Sequence, residues 1–121
     1  MEKPHKKLDA WRLAVELATY VYRTTDHFPR DERFGLTDQM RRAAVSIPSN
    51  IAEGAARKSK KEFAQFIHTA RGSLGELDTH LELARRPGFL DEGTWKDLDA
   101  RMKRIDMALA GLLRFRQSSH V

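Results

Sequence analysis

Between Ser59 and Pro87 the apolar residues Phe63, Ile67, Ala70, Leu74, Leu77, Leu81 and Ala84 recur at alternating steps of four and three. At roughly 100° per residue, that rhythm draws one unbroken apolar stripe along a helix, which a strand with its period of two cannot present on a single face. Ser59 followed three residues later by Glu62 reads as a capping box, and Pro87-Gly88 reads as the stop. A stripe this long must be buried against other helices, so the chain is expected to be all-α.

Three further segments supply partners. Leu8, Trp11, Val15, Ala18 and Tyr22 alternate in the same way and predict a first helix over about 8–26. Pro29, Gly35 and a burst of charge then interrupt the pattern. A second helix is expected over 37–56, with Thr37 as N-cap and Met40, Ala44, Ile47, Ile51 and Ala55 facing inward. Pro48 lies inside it, so a kink near Ala44 to Pro48 is expected in preference to two shorter helices. Trp95, Leu98, Met102, Ile105, Leu109 and Leu112 predict a fourth helix over 91–116, opening at Asp91 or Thr94. With the third helix over 59–86 and short links, the pattern specifies an up-and-down antiparallel four-helix bundle with a proline-kinked second helix. Residues 1–121 form one domain, with flexible ends at 1–6 and 118–121.

Apolar residues remain beyond these stripes. Leu13, Leu17 and Tyr20 on helix one, Phe66 on helix three and Phe115 on helix four lie off their own seams, and they predict a second buried surface, most simply a homo-oligomer contact. Gly72, Ser73 and Gly75 weaken helix three and point to a close helix approach there.

The chain has 121 residues, a formal net charge of +5 and no cysteine. Disulfides, thiolate metal sites and cysteine nucleophiles are therefore excluded. The start of the chain lacks the apolar core of a signal peptide, and no apolar run is long enough to span a bilayer. A cytoplasmic protein without membrane contact is the expectation.

Enzymatic constellations are missing necessary parts. No Glu is followed three residues later by His, as bundle di-metal sites require. Glu76 and His80, four apart, fit a surface pair better than a metal site, and His68 points away from His80. Phosphate-binding glycine loops and nucleophile elbows do not occur. No catalytic residue, metal or cofactor is expected.

Two constellations stand out. In the stretch RRAAVSIPSNIAEGAAR, Arg42, Ser46, Asn50, Glu53 and Arg57 fall along one edge of the second helix. This polar ladder reads either as a satisfied network at a helix or subunit contact, or as an anion site using Arg42, Asn50 and Arg57, which Glu53 would oppose. Arg41 and Arg42 open helix two, and Arg57, Lys58, Lys60 and Lys61 crowd the turn into helix three. As one cationic hairpin these six would bind a nucleic-acid backbone through counterion release, or they are plain solvated charge. Arg101, Lys103 and Arg104, with Arg114 and Arg116, are weaker candidates.

The segments LDAWRLAVELATYVYRTTDHFP and QMRRAAVSIPSNIAEGAARKSKKEFAQFIHTARGSLGEL resemble the bacterial four-helix-bundle family named for proteins encoded in 23S ribosomal RNA intervening sequences. The likeness runs from Leu8 to about Arg116, and RRAAVSIPSNIAEG is its most distinctive part. The resemblance implies a four-helix bundle assembled as a ring-like homopentamer. It also implies distant relatives among accessory proteins of diversity-generating retroelements, which bind nucleic acid and a reverse transcriptase. The expected function is therefore a non-enzymatic homo-oligomeric bundle binding RNA or DNA through its basic surface; the alternative is a protein-interaction adaptor with no nucleic-acid role.

Overall fold

The structure, a computed structural model, describes the backbone of residues 3–118 and the side chains as far as Arg114. Four helices account for most of it: α1 (Asp9–Thr25), α2 (Leu36–Ala55), α3 (Lys60–Arg85) and α4 (Glu92–Ser118). Each helix packs against the next, and α4 closes back on α1, while the diagonal pairs make no close approach among the described residues. That connectivity is the antiparallel up-and-down bundle specified by the four apolar stripes.

α3 follows its pattern residue for residue, since all seven members of its stripe are buried. Its start is the predicted cap, with Ser59 Oγ accepting from the Glu62 N–H at 3.0 Å. The Glu62 carboxylate accepts from the Ser59 hydroxyl and not from its backbone, so half of the capping box forms. At the other end, Phe89 N–H reaches the Ala84 carbonyl and Gly88 N–H the Arg85 carbonyl. These paired bonds are the Schellman closure, and they place Gly88 at φ 85°, where a side chain is strained. α4 opens at Asp91, whose Oδ1 accepts from the Thr94 N–H at 2.7 Å, and that bond holds the Asp91 carboxyl below its ordinary range.

α2 runs unbroken through Pro48, which is buried. Met40, Ala44, Ile47 and Ile51 face the core on both sides of it, whereas Ala55 is only partly covered. The cap differs from expectation. Gly35 is the N-cap and Thr37 lies buried within the first turn, because the helix starts at Leu36.

α1 corrects the predicted seam. Its buried residues are Ala10, Ala14, Leu17, Val21 and Thr25, whereas Val15 is 39% exposed and Tyr22 is also exposed. The apolar arc of this helix is wide, and the two expected sets are its flanks. Ala10 and Ala14 lie between them, where small side chains let the helix sit close to its neighbours. Leu17 is wholly buried in the chain's own core and is therefore unavailable to an oligomer contact.

The expected close approach at Gly72 and Gly75 is also corrected. A Cβ at either would meet nothing within 4 Å, whereas one at Gly54 would lie 3.0 Å from Phe66 Cβ and 3.3 Å from the Phe63 carbonyl oxygen. Gly54 thus sets the separation of α2 and α3, the most extensively packed pair. Gly54→Ala is expected to destabilise the fold by about 1–3 kcal/mol in urea unfolding, whereas Gly75→Ala should stabilise it slightly through helix propensity.

Candidate nucleic-acid interface

The link from α2 to α3 is short, so its cations have little room to avoid one another. Arg57 folds back, donating to Glu53 Oε2 at 2.8 Å and lying 4.9 Å over the Phe66 ring. Glu62 is taken by Ser59. The acids of the turn are thereby engaged, and Lys58, Lys60 and Lys61 have no ion-pair partner among the described residues.

A neighbouring segment adds to this surface. Pro4–Lys7 forms a 3-10 turn, where the sequence pattern predicted a frayed end. Arg12 secures it by donating to the Lys6 carbonyl at 2.8 Å while pairing with Asp9. The His5 ring sits edge-on to Trp11, with centroids 4.8 Å apart. A groove of about 520 Å³ runs between Lys3, Pro4 and His5 on one side and Ser49, Ala52, Glu53 and Ala56 of α2 on the other. Lys3, Lys6 and Lys7 therefore share the end of the bundle that holds Lys58, Lys60 and Lys61. Sequence reasoning missed these three; the signal was the Lys-x-x-Lys-Lys spacing behind Pro4, a residue suited to the first position of a helical turn.

Arg41 and Arg42 do not join this cluster. They lie near the start of α2, about 24 Å along the helix from Arg57. Arg41 is a tie between helices: Nε donates to Thr25 Oγ1 at 2.8 Å, Nη2 to Asp26 Oδ1 at 2.9 Å, and the guanidinium lies 4.6 Å over Tyr22. Arg42 pairs with Asp38 on its own helix. The six-residue cationic hairpin is thus two separate groups.

The polar ladder likewise divides. Ser46 Oγ and Ser73 Oγ are 2.8 Å apart and join α2 to α3, with Asn50 Nδ2 donating to Ser46 Oγ at 3.0 Å. Arg42 and the Glu53–Arg57 pair are separate from this junction. The central part of the ladder is a contact within one chain.

Of the residues expected at an oligomer contact, Leu13 is partly buried against the core and Tyr20 lies beneath Arg101 at 3.8 Å. Phe66 lies beneath Arg57, and the Phe115 side chain lies outside the described residues. Exposed apolar side chains occur elsewhere: Val15 and Tyr22 on α1, Val45 on α2, Phe34, Leu83 and Met107.

On α4, Arg101 pairs with Glu16 and Asp97, and Lys103 with Asp99. On α3, Arg71 pairs with Asp106, which raises its pKa. Among the described residues no three His, Asp or Glu side chains converge as a metal site, and no helix is long and apolar enough to cross a membrane.

His80 is the exception to its expected surface pairing. It is 6% exposed, with Nδ1 buried and without a partner. Burial lowers its pKa below 6.5, and the Glu76 carboxylate pulls the other way. The folded state therefore disfavours the proton, so stability is complete above about pH 6.5 and is lost as the pH falls from there through the folded-state pKa. The thermal midpoint should drop on acidification below about pH 6.5, and His80→Leu should flatten that part of the profile. An unaltered profile in the variant would assign the acid sensitivity to other groups.

Residues 6–111 match the family model described as 23S rRNA-intervening sequence protein. The fold is similar to the crystal structure of a protein of unknown function from the S23 ribosomal protein family of Bacteroides thetaiotaomicron. The TM-score is 0.77 at 20% identity, and the match covers 86% of this chain and 97% of that one. No curated protein matches the chain. With the family model spanning all four helices and the distinctive α2 segment, the chain belongs to the 23S rRNA-intervening sequence protein family.

Proposed function

We propose that this protein is a non-enzymatic, cytoplasmic, homo-oligomeric bundle that binds nucleic acid, RNA foremost, through the end of the bundle carrying the α2–α3 turn. The observation that carries the reading is the set of lysines at that end without an ion pair among the described residues, Lys58, Lys60 and Lys61 beside Lys3, Lys6 and Lys7. Ammonium groups whose neighbouring carboxylates are engaged elsewhere recruit phosphates and release counterions, and their strength falls steeply with salt. His5 and Trp11 add aromatic surface next to them, the combination by which proteins hold unpaired bases. The family's description, 23S rRNA-intervening sequence protein, is the ground for placing RNA before DNA.

The oligomer is supported by apolar surface left on α1 and α2. Tyr22 and Val45 line one groove, and Val15 lies two turns before Tyr22 on the same helix face. A ring of copies, five by the family resemblance, would repeat the lysine end and raise its avidity. A reverse transcriptase, the protein partner that resemblance also implies, would be a second ligand of the same assembly.

The test is fluorescence anisotropy with labelled RNA and DNA, single-stranded and duplex, at several ionic strengths. Binding at about 50 mM salt, weakening linearly in log–log form as salt rises, is the expected result. Absence of binding at about 50 mM salt would leave the protein-adaptor reading in its place.

A further inference from the structure

A second group of cations lies at the opposite end of the bundle, about 25 Å from the lysine turn. There the link between α1 and α2 folds over a cleft of about 280 Å³, lined by Arg30, Arg33 and Arg41 with Thr25, Asp26 and Thr37. Arg41 is held rigidly by Thr25 Oγ1 and Asp26 Oδ1, which leaves Nη1 without a partner among the described residues. Asp26, the one acid on the wall, is neutralised by that pair. Arg30 and Arg33 have no ion pair among the described residues, and Arg33 rests 5.6 Å over the Phe34 ring, a side chain 89% exposed.

Thr37 supplies an independent observation. It is 6% exposed in the first turn of α2, and its hydroxyl has no hydrogen-bond partner among the described residues although it lines the cleft. A hydroxyl on the wall of a cleft lined by three arginines is free to donate to an anion's oxygen. The helix starts on Gly35, and the Leu36 N–H at its positive end already donates to Glu32 Oε2 at 3.4 Å, so the cleft's pull on an anion rests on its arginines and Thr37 rather than on the helix dipole.

We propose that this cleft binds a phosphate group, with Arg30 and Arg33 gripping its oxygens and Arg41 and Thr37 completing the cradle from behind. Arginine forks suit phosphate better than a single-point carboxylate contact, and the volume fits a phosphate with a short ester rather than a large apolar ligand. The site uses none of the lysines and stands whether or not they bind nucleic acid. Its phosphate could belong to a free ion or small ester, or to the 5′ end of a nucleic-acid chain.

Thermal unfolding in inorganic phosphate, against chloride at equal ionic strength, tests it. A rise in Tm that grows with the logarithm of phosphate above the Kd is expected, about 5 °C at twenty times the Kd. Arg30→Gln with Arg33→Gln should abolish the rise, Thr37→Val should shift its onset to at least tenfold higher phosphate, and Lys58→Gln with Lys60→Gln and Lys61→Gln should leave it intact. No phosphate-specific rise, or one that survives the Arg30 and Arg33 substitutions, overturns the proposal. In the triple-glutamine background, an oligonucleotide with a 5′ phosphate binding at least tenfold tighter than its 5′-hydroxyl counterpart assigns the site to nucleic-acid ends. Equal affinities alongside a retained response to inorganic phosphate assign it to small phosphates.

Discussion

Leu17→Ala should lower the unfolding free energy by about 2–5 kcal/mol, while Val15→Ala, two residues away, should change it by less than about 1 kcal/mol. Leu17 is wholly buried on the inward face of α1, so its removal leaves a cavity that neighbouring helices fill only in part. Val15 faces outward, and alanine also propagates a helix better than a β-branched residue. Urea unfolding of both variants at one protein concentration checks this ranking, which an oligomer can shift by mass action. The opposite ranking would mean that α1 is rotated, with Trp11, Val15 and Ala18 turned to the core.

The second large effect is on binding. Replacing Lys58, Lys60 and Lys61 together by glutamine should weaken RNA binding on the order of 10²–10³-fold at about 50 mM salt. It should also flatten the log–log salt dependence by about 2–3, since each lost phosphate contact removes about 0.7–0.9 from the slope. Folding should be untouched, because none of the three has an ion pair or side-chain hydrogen bond among the described residues. Arg41→Gln gives the reverse pattern: affinity nearly unchanged, but stability reduced by about 1–3 kcal/mol as Thr25 and Asp26 lose their shared donor. Should the triple variant bind as tightly as the parent, the lysine turn is only solvated charge.

These two variants also mark what could be read from residue order alone. α3 was legible because its stripe is narrow and continuous and both ends carry stop signals; each seam residue from Phe63 to Ala84 is buried. α1 was not, because a three-four search accepts either flank of a wide apolar arc and passes over the alanines in the middle, whose small size is what lets the helices meet. The glycines were misjudged for a related reason: Gly54 and Gly75 carry the same propensity cost, and only the neighbour across the gap distinguishes them.

The lysine turn was legible because adjacent unlike helices force Lys58, Lys60 and Lys61 together. Arg41 was not, since its partners Thr25 and Asp26 are on another helix and the arginine is spent on a tertiary tie. The extension through Lys3, Lys6 and Lys7 depends on where the 3-10 turn packs against α2, and the phosphate cleft on three segments converging at the opposite end. Neither juxtaposition exists within any short window of sequence.

Lysine acetylation footprinting, read by mass spectrometry with and without bound RNA, tests most directly whether one end of this bundle is the nucleic-acid surface. Protection should concentrate at Lys3, Lys6, Lys7, Lys58, Lys60 and Lys61, with Lys96 and Lys103 on α4 modified as in the unbound protein. Equal protection of Lys96 and Lys103, or unchanged modification at the lysine end, would contradict it.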